Sequence, residues 1–126
     1  MTEYEDRIEE FTRDGKNFMY IDVSNLQNNA DLCKIVDVIQ RRIEKYPAKS
    51  VYTIINIENI MFDTETKEIA GNCLRHDDPY VKYGGVIGLD GIKKIMVNAM
   101  LKLGGRNNIQ FFHTREQAVE WLLRQE

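Results

Sequence analysis

The stretch "SVYTIINIENIMFDTETKEIAGNCLRHDDPYVKYGGVIGL", residues 50–89, decides the fold. Its opening, "SVYTIINI", is β-branched and almost wholly apolar, which is typical of a strand buried on both faces. A helix is predicted from about Thr64 to His76, and "DDP" then supplies turn chemistry. The next segment, "YVKYGGVIGL", is predicted to be a second strand. A strand, a helix and a strand in this order indicate a βαβ unit with parallel strands.

Further elements are predicted on both sides of this unit. Asp14-Gly15 between alternating residues predicts a β-hairpin, and "NNADLCKIVDVIQRRIEKYP" predicts a helix whose end is marked by Pro47. Later come a third long helix in "DGIKKIMVNAMLKLGG", a short strand in "NNIQFFH" and a last helix opened by a capping box at Thr114. The predicted buried stripe of the third helix comprises Ile92, Ile95, Met96, Ala99, Met100 and Leu103.

The order of elements predicts an α/β fold. We expect a mixed, mainly parallel sheet of about five strands, which starts with the hairpin and is flanked by about four helices. The βαβ crossovers are expected to be right-handed. The sequence contains no internal repeat or linker, so residues 1–126 are predicted to form one domain.

Composition excludes several classes of protein. With 43% hydrophobic and 29% charged residues, the composition is ordinary for a soluble globular chain. No apolar run is long enough for a membrane span, and the acidic start lacks the apolar core of a signal peptide, so we expect a cytoplasmic protein. Cys33 and Cys73 are expected to be free, buried thiols. The few scattered His and Cys residues predict neither a metal site nor a cofactor.

Charge is unevenly distributed along the chain. Residues 1–79 contain 10 basic and 16 acidic side chains, a net charge of −6, whereas residues 80–126 contain 7 and 4, a net charge of +3. The total is therefore −3, which does not favour nucleic acid as a partner. The candidate patch for an anion or an acidic partner comprises Lys82, Lys93, Lys94, Lys102 and Arg106. The alternative is that these side chains form only a solvated face.

The Asp63-Thr64 pair stands where the helix after the central strand begins. Either residue could be the N-cap of that helix, a role that both types fill routinely. The same position also suits a phosphate, because a helix N-terminus offers unpaired N–H groups and a favourable dipole. Both interpretations remain open at this point. Asp63, Thr64 and Lys67 together form the candidate interaction surface.

The segment "PYVKYGGVIGLDGIKKIMVNAMLKLGGRNNIQFFHTREQAVEWLL", residues 79–123, resembles the C-terminal half of the SpoIIAA-like family. The resemblance is carried by "PYVK", "GVIGLDGIKKI", "GGRN" and the closing "FHTREQAVEWL". These are small, mostly uncharacterised prokaryotic proteins with the fold of STAS domains, found in sulphate transporters and anti-sigma factor antagonists. In the antagonists a partner kinase phosphorylates the serine of an Asp-Ser pair after the central strand. The resemblance therefore implies Thr64 as the candidate phosphosite.

The favoured function is a non-enzymatic regulatory or interaction domain that acts through protein–protein contacts, with a regulatory kinase as one candidate partner. The alternative is a small-molecule or lipid-binding domain related to the SEC14-type fold, which predicts an apolar cavity between the sheet and the second or third helix. Catalytic residues are not predicted. His76 and His113 fall in separate segments, and Cys73 lies on the apolar side of its helix.

Overall fold

The computed structural model describes residues 4–103 and 107–125, without the side chains of Ile92, Met96, Met100 and Leu103. Its strands are β1 (Ile8–Arg13), β2 (Lys16–Asp22), β3 (Val51–Asn56), β4 (Val81–Ile87) and β5 (Ile109–Phe112). Its helices are α1 (Asn29–Ile43), α2 (Thr64–Asp77), α3 (Gly91–Leu103) and α4 (Arg115–Leu123), and a short 3-10 turn covers Glu5–Arg7. The predicted α/β class and order of elements are confirmed.

The five strands form one mixed sheet in the order β1-β2-β3-β4-β5. β1 and β2 pair antiparallel, and every later pair is parallel. The hairpin turn has φ of 53° at Asp14 and 77° at Gly15, the left-handed values that a two-residue turn of this type needs. β3 lies at the centre of the sheet, and its first four residues are buried, as its apolar sequence predicts.

The two faces of the sheet have different coverings. Alternate residues of a strand point to opposite faces, so Met19 and Ile21 of β2 pack under α1 and α2 while Phe18 packs on the other side. The buried α1 residues are Leu32, Ile35, Val38, Ile39 and Ile43. On the opposite face α4 contributes Ala118, Val119 and Leu122 to a cluster that includes Phe18, Tyr52 and Ile54. One face of the sheet is therefore covered by α1 and α2, and α4 packs on the opposite face.

The predicted buried stripe of α3 is wrong at Ile95 and Ala99, and its other four side chains lie outside the described part of the structure. Ile95 is 73% exposed and Ala99 is exposed, whereas Leu101 is 4% exposed and Val97 is half-buried. The physical reason is that "GIKKIMVNAMLKL" carries apolar residues on more than one side of the helix. Spacing alone therefore did not determine which side faces the sheet.

α1 ends at Ile43, shortly before Pro47, and the N–H groups of Lys45 and Tyr46 bond three residues back, to the carbonyls of Arg42 and Ile43. The expectation for the cysteines is corrected at one position. Both cysteines are free, but Cys33 is exposed on α1 and only Cys73 packs against the core. A cysteine on an amphipathic helix can lie on either face, and Cys33 lies on the solvent-facing side of α1.

Candidate interaction site at the start of the second helix

The site lies at the carboxyl end of β3, where two loops are bonded to each other. The backbone N–H of Asn25 donates to the carbonyl of Glu58 at 2.8 Å, and the N–H of Met61 donates to the carbonyl of Leu26 at 2.9 Å. The amide of Asn59 donates to the side-chain oxygen of Asn25 at 3.0 Å. These bonds join the loop before α1 to the loop before α2. The start of α2 is therefore supported by these two hydrogen-bonded loops, which together form the base of the site.

Gly88 completes this base from β4. Its φ is +87°, and a Cβ built there would lie 2.6 Å from the Asn56 side-chain oxygen and 2.6 Å from the backbone nitrogen of Glu58. Only glycine fits a left-handed conformation at so close an approach. The absence of a side chain at Gly88 thus allows its backbone to pack closely against Asn56 and Glu58.

Asp63 is the N-cap of α2. Its backbone is extended, and its Oδ1 accepts from the N–H of Thr66 at 2.8 Å and from the amide of Asn29 at 3.2 Å. These bonds, first those from Thr66 and then the one from Asn29, lower the pKa of Asp63 below its ordinary value. Asp63 therefore carries a negative charge at neutral pH, and the capping interpretation is confirmed for this residue.

Thr66 connects the starts of two helices. Its hydroxyl is buried and lies 2.8 Å from Oδ1 of Asp63 and 2.7 Å from Oδ1 of Asn29. A hydroxyl proton is donated to one acceptor at a time, so the carboxylate oxygen of Asp63 and the amide oxygen of Asn29 share it. Asn28 caps α1 by accepting from the N–H of Asp31 at 2.8 Å. The N-termini of α1 and α2 consequently meet at this point.

Thr64 is the first residue of α2 and is exposed. Because Asp63 is the cap, the hydroxyl of Thr64 is not required for capping. Lys67, one turn further, is half-buried, and its Nζ lies 5.7 Å from the centre of the Phe62 ring. The structure thus brings Asp63, Thr64 and Lys67 together on one short segment, while phosphorylation of Thr64 stays a prediction.

The basic residues do not converge in the same way. Nζ of Lys93 donates to the carbonyl of Ile60 at 3.1 Å, whereas Nζ of Lys94 lies 5.6 Å from the centre of the Phe111 ring. Lys102 is exposed on α3 and Lys82 is half-buried on β4. Arg106 lies outside the described residues. Lys93 and Lys94 are therefore directed at different neighbours, and the patch stays a prediction.

An imidazole bridge ties the other ends of α1 and α2. Nδ1 of His76 lies 2.8 Å from Oδ1 of Asp77, and its Nε2 lies 2.8 Å from Oε2 of Glu44. The bond to Asp77 and then the bond to Glu44 raise the pKa of His76. Sγ of Cys73 lies 3.4 Å from Oδ2 of Asp77, and burial together with that carboxylate raises the pKa of the thiol. A thiol held in its protonated form is a poor nucleophile.

A partly open apolar cavity of about 140 Å³ lies between the sheet and the three helices of its face. Its walls include Ile55 and Val86 of the sheet, Ala70 of α2, and Val97 and Leu101 of α3. The cavity that the alternative function predicts, between the sheet and the second or third helix, is thus present. Among the described residues, no three His, Cys, Asp or Glu side chains are grouped to hold a metal, and no helix is long and apolar enough to cross a bilayer.

No protein-family model matches the sequence, and no curated protein matches it. Among solved structures, the chain is similar to an anti-sigma-factor antagonist (STAS) domain protein from Planctomyces limnophilus, with a TM-score of 0.57. The similarity covers 91% of this chain and 97% of that chain at 8% sequence identity. The chain has the STAS fold. At this identity the likeness concerns the fold alone.

The STAS fold was expected from a resemblance confined to the second half of the sequence, and the structural similarity extends it to nearly the whole chain. Sequence reasoning selected Asp63, Thr64 and Lys67 as the candidate surface, which stays a prediction, and it missed Asn29 and Thr66, which bond to the cap or to each other. The only signal for Thr66 was its position three residues after Asp63, where the N–H bonded to an N-cap belongs. Nothing in the sequence paired it with Asn29, because 37 residues separate the two.

Proposed function

We propose that this STAS-fold chain is a non-enzymatic interaction domain that docks a protein partner at Asp63, Thr64 and Lys67. One observation carries the proposal: Thr64 is exposed at the first position of a helix whose N-cap is already fixed by other residues. An exposed site on a rigid base loses little freedom on binding, which favours affinity. The similar structure is an anti-sigma-factor antagonist (STAS) domain protein, and an anti-sigma factor is itself a protein.

Phosphorylation of Thr64 is the switch that we propose for this surface. A phosphate would add about −1.5 to −2 charges at a helix N-terminus, where the dipole favours an anion. Lys67 lies three residues on, on the same side of the helix, and offers a countercharge. Asp63, Glu65 and Glu68 are already acidic, so the modified surface would become strongly negative. A partner suited to the unmodified surface would then bind differently.

Site-specific capture from the native host tests the docking surface. Thr64→Ala and Lys67→Ala are expected to reduce recovery of the same partner that the wild-type chain retains. Thr12→Ala and Lys45→Ala are matched controls, because both residues are exposed and lie outside the two candidate surfaces. Equal recovery with all four variants would contradict the docking surface.

Intact-mass analysis of the chain purified from its host under varied growth conditions tests the switch separately. We expect one added phosphate that is absent from Thr64→Ala and present in Thr12→Ala. If the chain never carries phosphate under any condition, the switch is wrong, although the docking surface can still stand on the capture experiment.

A further inference from the structure

We propose that the cavity under α1, α2 and α3 is a binding site for a compact, uncharged, apolar molecule about the size of one aromatic ring. Protein interiors are packed like organic crystals, and voids much larger than a water molecule are few. A cavity of about 140 Å³ in a chain of 126 residues is therefore a feature that needs an occupant or a reason.

The volume sets the size of the occupant. An engineered cavity of about 150 Å³ lined by Leu, Ile and Phe binds benzene. The cavity here is nearly the same size at about 140 Å³. The acyl chains of a membrane lipid are far larger than such a ring and would require α3 or α2 to move away from the sheet. The size therefore favours a single ring or a short branched alkyl group over a lipid.

The lining sets the polarity of the occupant. The apolar wall is contributed by every layer of this face: Ile21, Ile55 and Val86 from the sheet, Leu32 and Ile39 from α1, Leu74 from α2, and Leu101 from α3. Among the polar lining residues, Thr66 is bonded to Asp63 and Asn29, and Asp77 is bonded to His76. A charged ligand would lose its hydration against an apolar wall, so the occupant must be neutral.

The cavity is accessible as well as apolar. Ala70 and Leu74 on α2 and Val97 on α3 line it and keep partial solvent exposure. A small molecule can therefore enter without unfolding of the sheet. The site differs from the docking surface, because Thr64 and Lys67 do not line it.

Titration with benzene, followed by methyl NMR of Ile, Leu and Val, tests the proposal. We expect saturable shifts of the methyl groups of Ile55, Val86 and Leu101, which line the cavity, and none at Leu122, which is buried under the opposite face. Absent shifts, or equal shifts at Leu122, would overturn the proposal. If dodecanoate shifts the cavity methyl groups as strongly as benzene, the size argument is wrong.

Two filling variants and one control separate the cavity from other sites. Ala70→Leu places three more carbons into the cavity and is expected to weaken benzene binding by about ten-fold or more, while Ala99→Leu adds the same carbons on the exposed face of α3. Val97→Leu fills less space from the opposite wall and serves if Ala70→Leu does not fold. Unchanged benzene binding in a folded filling variant would refute the site.

Discussion

Nε2 of His76, on α2, lies 2.8 Å from Oε2 of Glu44, the residue that follows the last turn of α1. Since Nδ1 of the same ring faces Asp77, only the protonated imidazole can donate to both carboxylates. The protonated ring thus connects the C-terminal ends of two helices that share the larger core. Protonation of His76 therefore contributes to the packing of α1 against α2.

Stability is expected to depend on pH through His76. Because its pKa is raised in the folded chain, the bridge stabilises fully below the ordinary value of 6.5 and is lost as pH rises through the folded pKa. The bridge is partly exposed, so the change is expected to be below about 1 kcal/mol. Urea unfolding at pH 6 and at pH 9 should show a larger loss for wild type than for His76→Gln. His113→Gln, at an exposed position, should behave like wild type.

Removal of the Thr66 hydroxyl is expected to weaken the start of α2. Thr66→Val keeps the shape of the side chain but deprives Asp63 and Asn29 of a shared donor, at a cost of about 1 to 2 kcal/mol in the free energy of unfolding. Thr66→Ser should recover most of this loss. Thr12→Val on the exposed edge strand β1 is the control. Equal unfolding midpoints for Thr66→Val and wild type would show that the contact does not contribute.

Gly88→Ala is expected to destabilise the base of the site by at least about 1 kcal/mol, because φ is +87° and the new Cβ would meet Glu58 and Asn56. Gly91→Ala is the matched control, since a Cβ there meets nothing within 4 Å and the residue begins α3. Thermal unfolding of the two variants measures the difference. A similar midpoint for both would contradict the close approach of the two loops.

The orientation of α3 predicts opposite results for two residues on one helix. Leu101→Ala is expected to cost about 2 kcal/mol or more, since Leu101 is buried against the sheet. Ile95→Ala should change the free energy of unfolding by less than about 0.5 kcal/mol, because the side chain is 73% exposed. Chemical denaturation of both variants checks this. The reverse order would restore the stripe predicted from spacing.

Local chemistry explains which elements could be predicted from the sequence. The hairpin depends on two adjacent residues, Asp14 and Gly15, and the buried character of β3 follows from its own apolar composition. Asp63 could be recognised as a cap because its partner lies three residues away. These features depend on neighbours along the chain, which a sequence displays directly.

Contacts between distant residues could not be predicted in the same way. Nη2 of Arg115 lies 2.6 Å from Oε2 of Glu9, and Cζ of the same guanidinium lies 4.2 Å from the centre of the Tyr20 ring. These contacts join α4 to the hairpin across most of the chain. The exposed side of α3 was likewise decided by the packing of the sheet beneath it. No local pattern encodes which of many charged residues will meet after folding.

Thr66 bonds to Asp63, the cap of α2, and is also one of the residues that line the apolar cavity. A molecule bound at the proposed cavity site would therefore lie beside a residue that holds the cap of the proposed docking surface. Thermodynamic linkage then requires reciprocity: if an occupant alters affinity for the partner by some factor, the partner alters affinity for the occupant by that same factor.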